Sequence, residues 1–412
     1  MVNISFENTE IAFEYKSSKE LKRARFLFST MARPWLVKLG TKLTPWIIKA
    51  RLPVNKIIRK TIFGQFVGGE TLAETSNVLK KLDPFNVQVI LDYGVEGKDG
   101  EENFERAAIE FIKVIEYAAT QPHVPFMSIK ITGLARFGLL EKLDALANYS
   151  DTINGVVSTL ELTADEKQEW QKVVVRLEKI CKTANASDTG VLIDAEESWI
   201  QNPVDALAIQ MMQKFNIEKP VVYNTVQLYR HDRLQFLKDS YEAAVKKNYL
   251  LGIKPVRGAY MEKERKRAAS LNYRSPIQPD KEHSDADYNA ALEFCIDHID
   301  NIFMVVASHN EFSNLYATGL MEKKGMQPGD ARILFSQLYG MSDNITFNLA
   351  RAGFNASKYL PFGPIKDVIP YLMRRAQENS SVSGHTGREL DLIKKEIARR
   401  KSMVNKSMMN GQ

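Results

Sequence analysis

From about residue 85 onward, short β-rich runs alternate with longer segments of helical period, the signature of repeated βα units feeding a parallel sheet. The runs are 87–92 (VQVILD), 126–131 (FMSIKI), 190–194 (GVLID), 221–227 (VVYNTVQ), 250–256 (LLGIKPV), 302–308 (IFMVVAS), 331–335 (ARILF) and 356–361 (ASKYLP). Helical patterns such as Phe104 to Thr120 and Pro203 to Lys214 fall between them, with Ser, Asp, Asn or Pro near their starts. Eight such units predict an α/β fold of the (β/α)8 TIM-barrel type. A doubly wound open sheet is the alternative, but no Gly-x-Gly-x-x-Gly follows any run, so a Rossmann nucleotide site has no support. The interval 137–189 is long for one helix and predicts extra helices. The organisation expected is a basic helical arm over 1–84, the barrel over 85–391, and a Lys/Arg-rich tail over 392–412 that is solvated or disordered.

Composition bears on what the chain can meet. With 44% hydrophobic and 26% charged residues it reads as an ordinary soluble globular protein. Cys181 and Cys295 are too few for a disulfide framework and sit in no metal-binding spacing. The opening MVNISFENTE carries acids and no apolar segment, which argues against a leader or transit peptide and makes the cytoplasm the default location. Charge is uneven. Between Lys19 and Lys60 stand twelve Lys or Arg and one acid, Glu20, interleaved with Phe26, Phe28, Trp35, Leu36, Leu39, Trp46, Ile47 and Ile48. No run is long enough to span a bilayer, so this stretch either packs on the protein or lies at a lipid surface, peripheral to the inner face of a membrane. Nucleic acid is disfavoured, since no binding motif accompanies the charge.

In a barrel of this kind the active site lies at the C-terminal ends of the strands. Those ends carry Asp92, Lys130, Asp194 with Glu196 and Glu197, Gln227, Lys254 with Arg257, Ser308 with His309 and Asn310, Gln337, and Tyr359. The last unit, YLPFGPIKDVIPYLMRRAQENS, puts Tyr371, Arg374, Arg375 and Glu378 three or four positions apart on one helix. Adjacent guanidinium forks match a carboxylate, and Tyr359 and Tyr371 flank them with rings, which sketches a small apolar-walled anion cup. An isolated Arg-Arg pair would more often be plain helix surface. In LGIKPVRGAYMEKER, Lys254 is expected to point toward the barrel mouth, and Gly258 to let the backbone approach a ligand. A cation there could tune a flavin, form a Schiff base or bind phosphate. Ser308, His309 and Asn310 offer a polar patch suited to a phosphate or ribityl chain.

The segments IKPVRGAYMEKER, VVASHNE, LYGMSD and YLPFGPIKDVIPYLMRRAQENS closely resemble those of the proline dehydrogenase family, in order and at suitable spacing. The resemblance continues through FGQFVGGE, ILDYGVE, IKITGLARFGLL, IDAEE and NTVQLYR, covers most of 63–380, and is nearest to the eukaryotic-type stand-alone enzymes. It implies a distorted (β/α)8 barrel, bound FAD, and oxidation of L-proline to pyrroline-5-carboxylate, with electrons passed to a membrane quinone. By matching motif position it implies that Arg374 and Arg375 bind the substrate carboxylate with Lys130 as a further cation. It also implies that Tyr359 and Tyr371 wall the ring, and that Asp194 lies close to the pocket. Gln227 and Lys254 match residues near the isoalloxazine, and Val256, Gly258, Ser308, His309, Asn310 and Glu378 match flavin or pocket contacts. The chain departs from the family where Lys254 replaces an arginine common in bacterial relatives, Pro255 a leucine, and Ser308 a threonine.

The residues read alone fit hydride removal from a positioned substrate, with no side chain standing out as general base. Two other readings compete: an aldolase-type barrel with Lys130 or Lys254 as Schiff base, and a non-catalytic barrel that binds membrane or partner through its basic arm.

Overall fold

The computed structural model describes residues 4–33, 35, 58–94, 99–381 and 385–410, without the side chains of 378–386 and 406–410. The eight expected runs all form strands: β1 (Val87–Tyr93), β2 (Phe126–Ile129), β3 (Gly190–Ile193), β4 (Val222–Gln227), β5 (Leu251–Val256), β6 (Ile302–Ala307), β7 (Ile333–Leu338) and β8 (Ala356–Phe362). They close into one barrel in sequence order, with parallel pairing such as Thr225 opposite Lys254 and Gln227 opposite Val256. Every residue of β3 and β4 is buried, the reason parallel strands read as continuous apolar runs rather than alternating ones. The predicted ends differ from the observed ones by at most three residues. The second run stops at Ile129 because Ile131–Gly133 turns into a 3-10 helix, and the seventh begins only at Ile333.

Helices follow the strands as the pattern required, with Glu101–Ala119 and Gln201–Phe215 in place of the two ranges read from sequence. The long interval after β2 holds three, Phe137–Leu146, Tyr149–Ile153 and Ala164–Ala186, the last opened by a Thr163/Glu166 capping box. By its packing the chain divides into two compact units, Val89–Ser336 and Met1–Gln88 with Gln337–Gln412.

Within Val89–Ser336, Asp205 is wholly buried and accepts bonds from Gln201, Asn224 and Arg233, the last at 2.6 Å. The Arg233 guanidinium lies 4.4 Å from the Phe236 ring centre. Buried charge is tolerated here because three donors meet the carboxylate and all three guanidinium nitrogens find a carboxylate oxygen.

Within the other unit, Ser17 and Glu20 form a capping box that starts helix Ser18–Met31, and Leu21, Ala24, Phe28 and Met31 recur at helical spacing as its buried stripe. That stripe belongs to one apolar cluster with Phe13, Phe66, Val368, Leu392 and Ile393. The terminal segment after 392 is therefore not the solvated or disordered tail expected. It belongs to a helix, His385–Asn410, that buries Leu392 and Ile393. The Lys and Arg that suggested solvation occupy the other faces of the helix. Of the basic arm, Phe28 is core, while Phe26 (68%) and Trp35 (62%) are exposed. Leu36, Leu39, Trp46, Ile47 and Ile48 lie outside the described residues.

Candidate active site

Residues at i and i+2 of an extended segment share a face, and at the end of β2 Ser128 and Lys130 use this to meet Asp194, while Thr132 in the 3-10 turn beyond forms a second tier with Glu196. In the lower tier Ser128 Oγ donates to Asp194 Oδ1 at 2.7 Å and Lys130 Nζ donates to Asp194 Oδ2 at 2.8 Å. Lys254, two residues before the end of β5, donates to Asp194 Oδ1. One tier out, Thr132 Oγ1 donates to Glu196 Oε1 at 2.7 Å. Two ammonium groups thus share one buried carboxylate at the strand ends.

The electrostatics follow from that sharing. Burial would raise the Asp194 pKa, but Lys130 and Lys254 outweigh it and hold the carboxyl well below its usual range. Burial would lower that of Lys130, but Asp194 and Asp92 hold it above the ordinary lysine value. A lysine held as ammonium is a poor Schiff-base nucleophile, which weighs against the aldolase-type reading for Lys130. Glu196 moves the opposite way. Burial pushes it up to about 7, only partly offset by Lys130 and Thr132.

Gln227 closes β4, donating from Nε2 to the Glu196 carbonyl at 2.8 Å, while its buried Oε1 has no hydrogen-bond partner among the described residues. The Val256 carbonyl accepts from the Leu228 amide at 2.8 Å. Gly258 adopts φ +139, and a Cβ there would meet the Tyr229 ring at 2.4 Å. The close neighbour that excludes a side chain is therefore Tyr229, where the sequence suggested a ligand. Ser308 Oγ accepts from Arg257 Nη1 at 2.9 Å and from the Asn310 amide at 3.1 Å, and Asn310 caps helix Glu311–Lys323 through the Ser313 amide. His309, half-buried, stands between them.

In the other unit, β8 carries Tyr359, half-buried, and helix Ile365–Ser381 carries Tyr371, Arg374 and Arg375. Arg375 is only 7% exposed, with its guanidinium 5.2 Å from the Tyr371 ring centre, while Arg374 is half-buried. Glu378 is on the same helix, and its side chain lies outside the described residues.

Sequence reasoning named Arg257 only as a strand-end residue and passed over Glu264, and both are tied into these clusters. Arg257 pairs with Asp285, donates to Ser308 and Ser313, and lies 4.3 Å from the Tyr288 ring centre. Glu264, fully buried, accepts from both the amide and the hydroxyl of Ser198 and so binds helix Met261–Leu271 to the segment after Asp194.

Comparison with known proteins gives a consistent result. The sequence profile of the family described as proline dehydrogenase matches residues 75–388. Proline dehydrogenase 1, mitochondrial, of Homo sapiens is 38% identical, over 96% of this chain and 90% of that protein. The hydroxyproline dehydrogenase of Xenopus laevis is 32% identical, over 94% and 88% respectively. Proline dehydrogenase 1, mitochondrial, of Dictyostelium discoideum is 34% identical, and there the chain spans 66% of the relative's length. Among solved structures, proline utilization A from Bdellovibrio bacteriovorus shares the fold with TM-score 0.68 at 20% identity, over 92% of this chain and 36% of that one.

The raised Glu196 carboxyl makes a prediction about stability. A group whose folded value lies above its unfolded one stabilises the fold while protonated. That contribution is complete below the ordinary value of 4.5 and is lost as pH rises through about 7. Between pH 5 and pH 8 the protein should lose on the order of 3 kcal/mol that Glu196→Gln does not lose. Urea unfolding of both proteins at the two pH values checks this, and parallel pH dependence would refute it.

Proposed function

We propose, from the premise that this chain belongs to the proline dehydrogenase family, that it oxidises L-proline to pyrroline-5-carboxylate with FAD as cofactor and a quinone as final acceptor. The observation that carries the substrate side is the Arg375 guanidinium, buried and set against Tyr371 beside half-buried Arg374. Two guanidinium forks on adjacent residues, one of them buried, match the two oxygens of a carboxylate. In this reading Arg374 and Arg375 fix the substrate carboxylate, Lys130 adds a cation, Tyr359 and Tyr371 wall the ring, and Asp194 holds Lys130 and Lys254 in place.

The residues present fit a flavin. The buried, unpartnered Gln227 Oε1 suits a group offering an N–H, and Lys254, anchored by Asp194, brings a cation suited to stabilising added negative charge. Val256, Gly258, Ser308, His309, Asn310 and Glu378 are the further proposed contacts. When bound, FAD supplies the acceptor for the hydride lost from the substrate carbon next to nitrogen. The chain's own work is to bind the carboxylate, orient the ring and exclude water, while the proton lost from the amine is assigned to no side chain. Purified protein should be yellow and bleach on addition of proline. Arg375→Met should leave the colour but raise the proline concentration for half-bleaching by about tenfold or more. A colourless protein, or an unmoved titration midpoint, would count against the cofactor or the substrate grip respectively.

Tyr359 is proposed to crowd a 4-hydroxyl on the ring and so favour proline over hydroxyproline. The question is open on family grounds, since the Xenopus relative is named for the hydroxylated substrate. Equal kcat/KM for the two amino acids would sink this assignment.

A cytoplasmic location with peripheral contact to a membrane, the source of quinone, is the companion proposal. No helix among the described residues is long and apolar enough to cross a bilayer. Phe26 and Trp35 are exposed within the basic stretch, as an interfacial anchor requires. Deleting the arm would remove core residues such as Leu21 and Phe28, so point changes are the proper probe. Phe26→Ser with Trp35→Ser should reduce co-sedimentation with anionic liposomes, and equal recovery would dismiss the contact.

A further inference from the structure

Lysine is rarely buried, yet Lys358 on β8 is 0% exposed and is among the largest fully buried side chains. Its ammonium donates to the Met341 carbonyl at 2.6 Å and lies 2.9 Å from Asp343 Oδ1. Asp343 in turn accepts from Lys16 Nζ and from the Tyr15 hydroxyl, both at 2.8 Å. The next residue along the strand, Tyr359, points to the opposite face, and its carbonyl accepts from the Tyr339 amide at 2.9 Å. The 339–343 segment therefore grips β8 at two successive residues.

That segment is itself held from several sides. Gly340 has φ +80 and packs so closely that a Cβ would meet the Gln65 carbonyl at 2.0 Å, while Gln65 Nε2 donates to the Gly340 carbonyl at 2.8 Å. Ser342 takes the left-handed conformation at φ 49, uncommon for a residue with a side chain, and its amide donates to buried Glu389 on the terminal helix. Tyr15, which reaches Asp343, is stacked on Phe347 at 4.3 Å. A loop fixed at so many points can set the position of a strand to a fraction of an ångström.

We infer that Lys358 and Asp343 are positioning residues for the reaction: by fixing β8 they fix the Tyr359 ring, and through it the selection between proline and its 4-hydroxylated analogue. The inference rests on the reading of Tyr359 as a substrate wall. Lys16 and Tyr15 brace Asp343 in the same arrangement, so the start of the chain contributes to substrate selection through this carboxylate.

A double-variant cycle on the full-length protein tests it, reading the ratio of kcat/KM for L-proline to that for trans-4-hydroxy-L-proline. Lys358→Met keeps the side chain's length and removes its charge. It should lower the ratio at least about tenfold, and should change it no further in a Tyr359→Ser background, because residues that act through one another are not additive. A change of equal size in both backgrounds means a general structural role and overturns the inference, as does an unchanged ratio in Lys358→Met. If Lys358→Met does not fold, Asp343→Asn, nearly the same shape, takes its place in the cycle with the same two outcomes. If Tyr359→Ser alone leaves the ratio unmoved, the reading of Tyr359 fails and the inference falls with it. If Tyr359→Ser moves the ratio and the Lys358 and Asp343 variants do not, only the inference falls.

Discussion

A buried carboxylate shared by two lysines occurs twice among the described residues, once in each unit. Asp194 holds Lys130 and Lys254, and Asp343 holds Lys16 and Lys358. Such clusters seldom add net stability over apolar packing, since desolvation cancels much of the attraction. What they impose is geometry, because removing one partner leaves an uncompensated charge at a cost of about 3–5 kcal/mol. Alternatives in register or rotamer are excluded by that cost. For a barrel whose chemistry sits at strand ends, a device that fixes strand ends is worth its desolvation.

How much of this was legible depends on whether the signal was local. The eight strands were visible because parallel strands covered on both faces must be apolar along their length, as in GVLI and VYNTVQ, and because helical periods separate them. Strand ends were less so. Lys130 reads as strand from its neighbours, but Ile131–Gly133 tightens into a 3-10 turn that sequence period cannot register. The terminal helix was misread for a related reason. Its Lys and Arg outnumber Leu392, Ile393 and Ile397, and burial depends on which face meets a partner rather than on composition.

The candidate site divides in the same way. Tyr371, Arg374 and Arg375 were placed on one helix by spacing alone, and the structure keeps them there. Lys358 could not have been found: a lysine inside a strand reads as an exposed position, and no local pattern joins it to Asp343 or joins Asp343 to Lys16. Gly258 shows the converse. The glycine was recognised as necessary, but the reason is the Tyr229 ring, a contact no local pattern announces. Polar groups at Ser308 and Asn310 are partly committed to Arg257 and to a helix cap, so the local fold already uses much of what sequence offered to a ligand.

Charge balance distinguishes the two clusters and bears on what each can do. Around Asp194, two ammonium groups face one carboxylate that they keep ionised, while Glu196 beside them is held near neutrality by burial. The local excess is positive, the condition under which an anion or an electron-rich ring is welcomed at a strand end. Around Asp343 the second carboxylate is Glu389, pushed up to about 7 first by burial and then by Asp343 itself. Two lysines and two carboxylates would balance only with Glu389 ionised. Burial also lowers the Lys358 pKa, with Asp343 acting against it. The two arrangements use the same pair of residue types, each beside a second carboxylate that burial pushes up to about 7, Glu196 in one and Glu389 in the other.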